Sequence, residues 1–202
     1  AYDHVIQSTS GIMAMTGTPE VNPIKIGAPA IDYATGTMGA YALSAALFQR
    51  ERTGLGQHVE VPMFETMAEL VLSDHMGGIL FDPPAGDFGY NRALTPNRRP
   101  LRTLDGYVCV LLYTEKHWER FFEIVAQQDR YRNDPRLSDP AVRRREYDAA
   151  YGVVAELVAS RSSAEWLADL GAADIPVVPL EDVADLLDDE HLRATGFFAR
   201  EV

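Results

Sequence analysis

The stretch Ile26–Leu47 reads IGAPAIDYATGTMGAYALSAAL and holds a single carboxylate, Asp32, among alanines, glycines and prolines. An ionised carboxylate in apolar surroundings is costly unless it is paired or its pKa rises. From residue 35 to about residue 52 the pattern indicates a long helix, in which Gly36 and Gly39 permit close packing. Asp32 is therefore either a helix N-cap or solvated loop aspartate, or a carboxylate placed for chemistry.

Composition narrows the classes of partner. The chain has 202 residues, of which 47% are hydrophobic, so it can bury a substantial core. The formal net charge of −12 argues against nucleic acid or an anionic membrane as a main partner, and no apolar run reaches the length of a membrane span. The one cysteine, Cys109, sits in an apolar run that predicts a buried thiol and a reducing, cytoplasmic compartment. Because the chain opens within a helical pattern, we expect it to be part of a longer protein.

Helical and strand patterns alternate along the chain, which predicts an α/β or α+β class. Helices are predicted over 3–17, 35–52, 64–80, 115–127, 139–160, 162–174 and 181–196. Strands are predicted over 58–63, over 175–180 and from 197 onward, and 99–113 reads as a hairpin around the turn Asp105-Gly106. Residues 82–98 are rich in Pro, Gly and Asn and predict a linker.

Few side chains outside Asp32 suggest chemistry. The five histidines have no metal-ligand spacing, so we predict no metal site. The basic cluster at 142–146 is interpreted as a solvated helix face that pairs with nearby acids. The arginines of 97–102 either offer guanidinium groups to a carboxylate or phosphate, or form ion pairs between domains.

Several blocks together resemble one family. These are AYDHVIQSTSGIMAMTG at 1–17, IDYATGTMGAYALSAALFQRERTGLGQHVEVPMFE at 31–65, TLDGYVCVLLYTEKHWERFF at 103–122 and AEWLADLGAADIPVVPLEDVADLLDDEHLRATGFF at 164–198. The chain resembles the family III CoA-transferases, the CaiB/BaiF family, over nearly all of its length. The most specific block runs from Asp32 through RTGLGQ at 52–57.

This resemblance implies a fold and a domain organisation. The expected fold is α/β, with a Rossmann-like large domain, partial here, and a smaller α+β domain, in a homodimer of interlocked chains. Residues 1–81 would belong to the large domain, 82–98 to a linker or lid loop, 99–190 to the small domain, and 191–202 to the return to the large domain. The family's N-terminal CoA-binding part would lie outside this chain.

The resemblance also implies an activity. Asp32 matches the aspartate that attacks an acyl-CoA thioester, so CoA would pass from an acyl-CoA donor to a carboxylic acid acceptor through aspartyl intermediates. Acyl-CoA and the acid are substrates, and no permanently bound cofactor is expected. The alternatives are an α-methylacyl-CoA racemase-like isomerase and a catalytically incomplete homologue.

Four further residues follow from the resemblance as substrate-binding candidates. Tyr2 stands where transferase members carry a pocket tyrosine and racemase members a histidine, although core filling is its alternative role. His4, two residues later, should point elsewhere. Gly86, Gly89 and Tyr90 occupy a place similar to the loop that closes over the nucleophile in formyl-CoA transferase.

Overall fold

The computed structural model describes residues 2–18 and 20–198, and the chain divides into two compact units, Ala1–Pro96 and Asn97–Val202. The change of unit falls inside the segment 82–98. Assignment of these parts to a large and a small domain stays a prediction, as does the return of 191–202 to the large domain. In the described ranges, no helix combines the length and apolarity that crossing a membrane requires.

The first unit is built from helices in its described residues. They are α1 (Asp3–Thr9), α2 (Ile12–Met15), α3 (Ala30–Thr53), α4 (Met63–His75), a 3₁₀ turn (Gly77–Leu80) and α5 (Asn91–Leu94). Its buried apolar cluster is small and consists of Ile6, Ile31 and Met67, with partly buried neighbours from α2 and α4. This cluster joins α1, α3 and α4.

The predicted helix over 3–17 is interrupted. Gly11 has a φ of 84°, a left-handed conformation that glycine adopts without a steric penalty, and it separates α1 from α2. The predicted strand over 58–63 is wrong, because these residues pair with no other described strand and Met63 already begins α4. Alternating apolar and polar residues are not sufficient for a strand where a hydrogen-bonding partner is missing.

Helix α3 begins earlier than predicted, at Ala30, and ends before Gly54, whose φ of 73° gives a left-handed C-terminal cap. Within α3, all of whose residues the structure describes, only Ile31 is buried. A methyl group at Gly36 or Gly39 would meet no described atom within 4 Å, apart from the helix's own backbone. Within the described residues, no element packs closely against these two glycines.

The second unit contains the sheet. Its elements are β1 (Leu101–Arg102), β2 (Tyr107–Val110), α6 (Glu115–Ile124), α7 (Gln128–Asn133), α8 (Pro135–Ser138), α9 (Pro140–Arg145), α10 (Tyr147–Val158), α11 (Ser163–Ala172), β3 (Val177–Pro179), a 3₁₀ turn (Asp185–Leu187) and α12 (Glu190–Ala194). The strand order is β1-β2-β3, all antiparallel, with Leu101 opposite Val108 and Cys109 opposite Val178. The predicted hairpin and the strand within 175–180 are confirmed.

A large aromatic core holds the second unit. Trp118, Phe121, Phe122, Tyr151 and Trp166 are all almost fully buried, and the rings of Phe121 and Trp166 stack at 5.7 Å. The predicted helix over 139–160 divides into α9 and α10 at residue 146, and that over 181–196 into a 3₁₀ turn and α12. Residues 197–198 form a turn, and the remainder of the strand predicted from 197 lies outside the described residues.

Candidate active site

Asp32 lies in the first turn of α3, where it is the third helical residue, and it is exposed. The N-cap of α3 is Pro29, so the interpretation of Asp32 as the N-cap or as a loop residue is wrong. No described residue forms a hydrogen bond or an ion pair with its side chain. A carboxylate in the first turn of a helix is favoured by the helix dipole. Asp32 therefore presents a free carboxylate at the start of a long helix.

The capping function is performed by a residue from another helix. Asp3 Oδ1 accepts a hydrogen bond from the backbone N–H of Ile31 at 2.8 Å and a longer one from that of Asp32 at 3.4 Å. Pro29 has no side-chain acceptor, so the α3 terminus depends on this partner 28 residues earlier in the chain. Helices α1 and α3 thus begin next to each other.

Gln7 extends this contact into the segment that precedes α3. Its Nε2 donates to Asp3 Oδ2 at 2.6 Å and to the carbonyl of Ala28 at 3.4 Å, and its Oε1 accepts from the N–H of Ile26 at 3.0 Å. Gln7 is fully buried, and every one of these partners lies on α1 or on the approach to Asp32. One turn of α1 therefore fastens the backbone that leads to Asp32.

Tyr2 immediately precedes Asp3 and is the N-cap residue of α1. Its side chain is 81% exposed, so Tyr2 is not part of the core of the described first unit. Because Asp3 contacts the backbone of residues 31 and 32, the structure brings the backbone of Tyr2 to the same end of the first unit as Asp32. His4 is also exposed.

The three loop candidates are held elsewhere, at the C-terminal end of α4. Gly89 N–H donates to the His75 carbonyl at 2.8 Å, and Tyr90 N–H donates to His75 Nδ1 at 3.1 Å. A methyl group at Gly78 would lie 2.2 Å from the backbone nitrogen of Gly86, so these two backbones are in direct contact. Gly89, with a φ of 108°, is the one candidate in a left-handed conformation. The loop is folded back on α4, and its role as a lid stays a prediction.

The basic segment 97–102 is part of the second unit. Arg98 and Arg99 line a groove of about 340 Å³ together with residues of β2, including Cys109, and residues of β3. Alternation along β2 buries Val108 and Val110 and exposes Cys109, so the prediction of a buried thiol is wrong.

The second basic cluster, 142–146, has a structural role at one position. Arg143 is buried, donates to the carbonyl of Leu137 and to the carboxylate of Glu115, and lies 4.6 Å from the ring centroid of Trp118. The solvated-face interpretation is wrong for this residue, whereas the two arginines after it are exposed. A buried guanidinium needs such partners to offset its lost hydration.

Asp3 and Gln7 were not predicted from the sequence. Their spacing of four residues places them on one face of α1, but nothing local shows that the other partner of Asp3 is the start of α3. Among residues 2–18 and 20–198, no three His, Cys, Asp or Glu side chains are grouped as a metal site requires.

Comparison with known proteins gives a consistent result. The sequence model of CoA-transferase family III matches residues 1–201. The chain is similar to succinyl-CoA:mesaconate CoA-transferase of Haloarcula hispanica, with 28% identity over 95% of this chain and 48% of that protein. It is also similar to acetyl-CoA:oxalate CoA-transferase of Acetobacter aceti, with 27% identity over 92% of this chain and 48% of that protein.

A solved structure shares the fold. A CaiB/BaiF family protein from Brucella suis superposes with a TM-score of 0.73 and 26% identity, over 97% of this chain and 52% of that one. The chain spans about half the length of the curated relatives it matches. The mixed α/β fold class expected from the sequence is confirmed. The chain belongs to CoA-transferase family III.

Proposed function

We propose that the protein transfers CoA from an acyl-CoA to a carboxylic acid and that Asp32 is the residue that carries the acyl group and then CoA. The observation that supports this role is the exposed Asp32 carboxylate, which has no described partner, at the start of α3. A carboxylate needed for capping or for an ion pair would be occupied. Here Asp3 provides the cap and leaves Asp32 available.

The first chemical step is attack of an Asp32 carboxylate oxygen on the thioester carbonyl of the donor. The new C–O bond forms as the C–S bond breaks, which gives a mixed anhydride on Asp32 and the CoA thiolate. The positive end of the α3 dipole lies near Asp32 and favours the negative charge that develops there. Small residues before Asp32, including Gly27 and Ala28, leave room for the acyl group.

The following steps exchange the acid. The thiolate attacks the aspartyl carbonyl of the anhydride, so the donor acid leaves and an aspartyl-CoA thioester forms. The acceptor carboxylate then attacks this thioester, which releases the thiolate and produces a second mixed anhydride. Attack of the thiolate on the acceptor's carbonyl gives the new acyl-CoA and restores Asp32. Each step conserves charge and requires no other reactant.

Small dicarboxylic acids are the substrate class that we propose first. The relatives are described as transferring CoA from succinyl-CoA or acetyl-CoA to mesaconate or oxalate, and another as a succinate–glutarate CoA-transferase from Agrobacterium fabrum. Tyr2 is proposed as a wall of the acyl pocket, and Gly86, Gly89 and Tyr90 as part of a closing loop. The interlocked homodimer is likewise a proposal from the family resemblance.

Covalent capture tests the proposal. Full-length protein is incubated with succinyl-CoA and an acceptor chosen from mesaconate, oxalate and glutarate, then treated with hydroxylamine or borohydride. We expect a mass change on the peptide that contains Asp32 and complete loss of turnover in Asp32→Ala with the thermal transition retained. Asp74→Asn, an exposed aspartate on α4, is the matched control and should keep activity. An unmodified Asp32 peptide in an active preparation would contradict the assignment.

The alternatives give different results in the same preparation. A racemase-like enzyme would exchange the α-proton of a 2-methylacyl-CoA with deuterium from solvent and would lose nearly all activity on replacement of Tyr2, whereas a transferase would only be impaired. A catalytically incomplete homologue would bind CoA weakly in isothermal titration and give no adduct. Micromolar binding together with the Asp32 adduct supports the transferase.

A further inference from the structure

We propose that Asp3, held by Gln7, is a positioning residue that fixes the orientation of Asp32 for attack on the thioester. This inference rests on the proposed function of Asp32. It concerns a different question, which is how a carboxylate at the end of a helix is kept in one place when its own side chain has no described partner.

The start of α3 is capped by a residue of another helix. The first N–H groups of α3 have no partner within the helix, and the N-cap Pro29 has no side-chain acceptor for them. Asp3 Oδ1 accepts from the N–H of Ile31 at 2.8 Å and from that of Asp32 at 3.4 Å. The charge that stabilises this terminus therefore comes from α1, and the backbone of Asp32 is one of the atoms it fixes.

The Asp3 carboxylate is itself held by Gln7. Gln7 Nε2 donates to Asp3 Oδ2 at 2.6 Å, so one carboxylate uses its two oxygens for two different donors. Gln7 Oε1 accepts from the N–H of Ile26, and Nε2 also donates to the carbonyl of Ala28. Because Gln7 is fully buried, its amide orientation is determined by these three partners.

The two aspartates at the start of α3 have different surroundings. Asp3 is half-buried and bonded through both oxygens, whereas Asp32 is exposed and bonded only through its backbone. The two side chains thus divide the tasks of ordering the helix start and of presenting a reactive carboxylate. A loosened helix start would spread the Asp32 oxygen over orientations in which attack is unproductive.

The substitutions follow from the donor and acceptor pattern. Asp3→Ala removes both contacts. Asp3→Asn replaces one of the two acceptor oxygens by an NH₂ donor. In either orientation of the amide, this NH₂ group faces another donor, which is the Ile31 N–H or the Gln7 amide. Adding Gln7→Glu restores the match at residues 3 and 26, since a glutamate oxygen accepts from the new amide while its other oxygen accepts from Ile26, and it gives up only the longer contact of 3.4 Å to the Ala28 carbonyl. The double variant exchanges the donor and the acceptor between positions 3 and 7, and the pair keeps one negative charge.

The experiment measures formation of the Asp32 adduct in a single turnover, together with kcat and KM for succinyl-CoA, in full-length protein. We expect Asp3→Ala and Asp3→Asn to lower the rate of adduct formation and kcat by about 10- to 100-fold, with KM nearly unchanged. The double variant Asp3→Asn/Gln7→Glu should recover most of the lost rate. The matched control is Asp139→Ala, which removes a comparable cap from α9, where Asp139 accepts from Ala141 and Val142. It should lower the melting temperature and leave kcat unchanged.

The outcomes separate the two proposals. Wild-type protein that is active but gives no Asp32 adduct would overturn the proposed function, and with it this inference. A wild-type adduct combined with unchanged adduct rates in both Asp3 variants would overturn the inference alone. If Asp3→Ala does not fold, the comparison of Asp3→Asn with its double variant decides, because failure of Gln7→Glu to restore the rate overturns the positioning role.

Discussion

Each of the two units is stabilised internally by a different kind of interaction. Among the described residues, the second unit has a continuous cluster of 17 buried apolar side chains, whereas the cluster of the first unit has three. The first unit relies more on polar and backbone contacts, such as the Asp3–Gln7 network and the contact between Gly78 and Gly86. The unit that carries the candidate nucleophile is therefore ordered locally by directional contacts. Its stability should be lowered by substitutions at these contacts, whereas the stability of the second unit should be lowered by substitutions in its apolar core.

The largest loss of stability is expected for Trp166→Ala in the second unit. Trp166 is fully buried, stacks on Phe121, and donates its indole N–H to the carbonyl of Val158 at 2.8 Å. Removing a ring of this size should cost about 3–5 kcal/mol in the free energy of unfolding, measured by urea denaturation with circular dichroism. Tyr41→Ala is the matched control on α3, because Tyr41 is 71% exposed, and should change stability by less than about 0.5 kcal/mol. Similar losses in the two variants would contradict the contrast between the units.

An intermediate effect is expected for Gly78→Ala in the first unit. The new methyl group would lie 2.2 Å from the nitrogen and 2.4 Å from the Cα of Gly86, and backbone atoms cannot rotate away as a side chain does. We expect a loss of about 1–3 kcal/mol and faster proteolysis within residues 82–90. Gly56→Ala is the control, since a methyl group there meets no described atom within 4 Å. Equal proteolysis of the two variants would show that the Gly78–Gly86 contact does not hold the loop.

Elements whose signals are local could be predicted from the sequence. The hairpin follows from Asp105-Gly106 between β-rich runs, and β1 and β2 pair as expected. Helix α11, predicted over 162–174, begins after Ser162, and Glu165 completes a capping box with this residue. In each case the residues that decide the structure lie within a few positions of one another.

Features that depend on a distant partner could not be predicted in this way. The run at 58–63 alternates as a strand does, but whether another strand lies beside it is not recorded in its own residues. The start of α3 was expected at residue 35 because Pro29 and Ala30 give no local cap signal, and the cap comes from Asp3 instead. The candidate nucleophile was therefore identified by family resemblance, whereas the residues that order it required the structure.

The smallest effect is expected in the dependence of stability on acid pH. This effect distinguishes the two units, because the carboxyl groups whose pKa is lowered belong to the second unit. The backbone N–H of Ser163, followed by its hydroxyl, lowers the pKa of Asp105, and the N–H groups of Ala141 and Val142 lower the pKa of Asp139. A folded-state pKa below the unfolded value adds stability that is complete above the unfolded value and is lost as the pH falls through the folded value.

We therefore expect the urea midpoint, followed by tryptophan fluorescence, to stay constant from neutral pH down to about pH 5 and to fall below about pH 4. Both tryptophans of the chain, Trp118 and Trp166, lie in the second unit, so this signal reports on that unit. Asp105→Asn should lower the midpoint at neutral pH and make its fall in acid shallower, and a fall as steep as in the wild type would show that the Asp105 contact to Ser163 does not contribute.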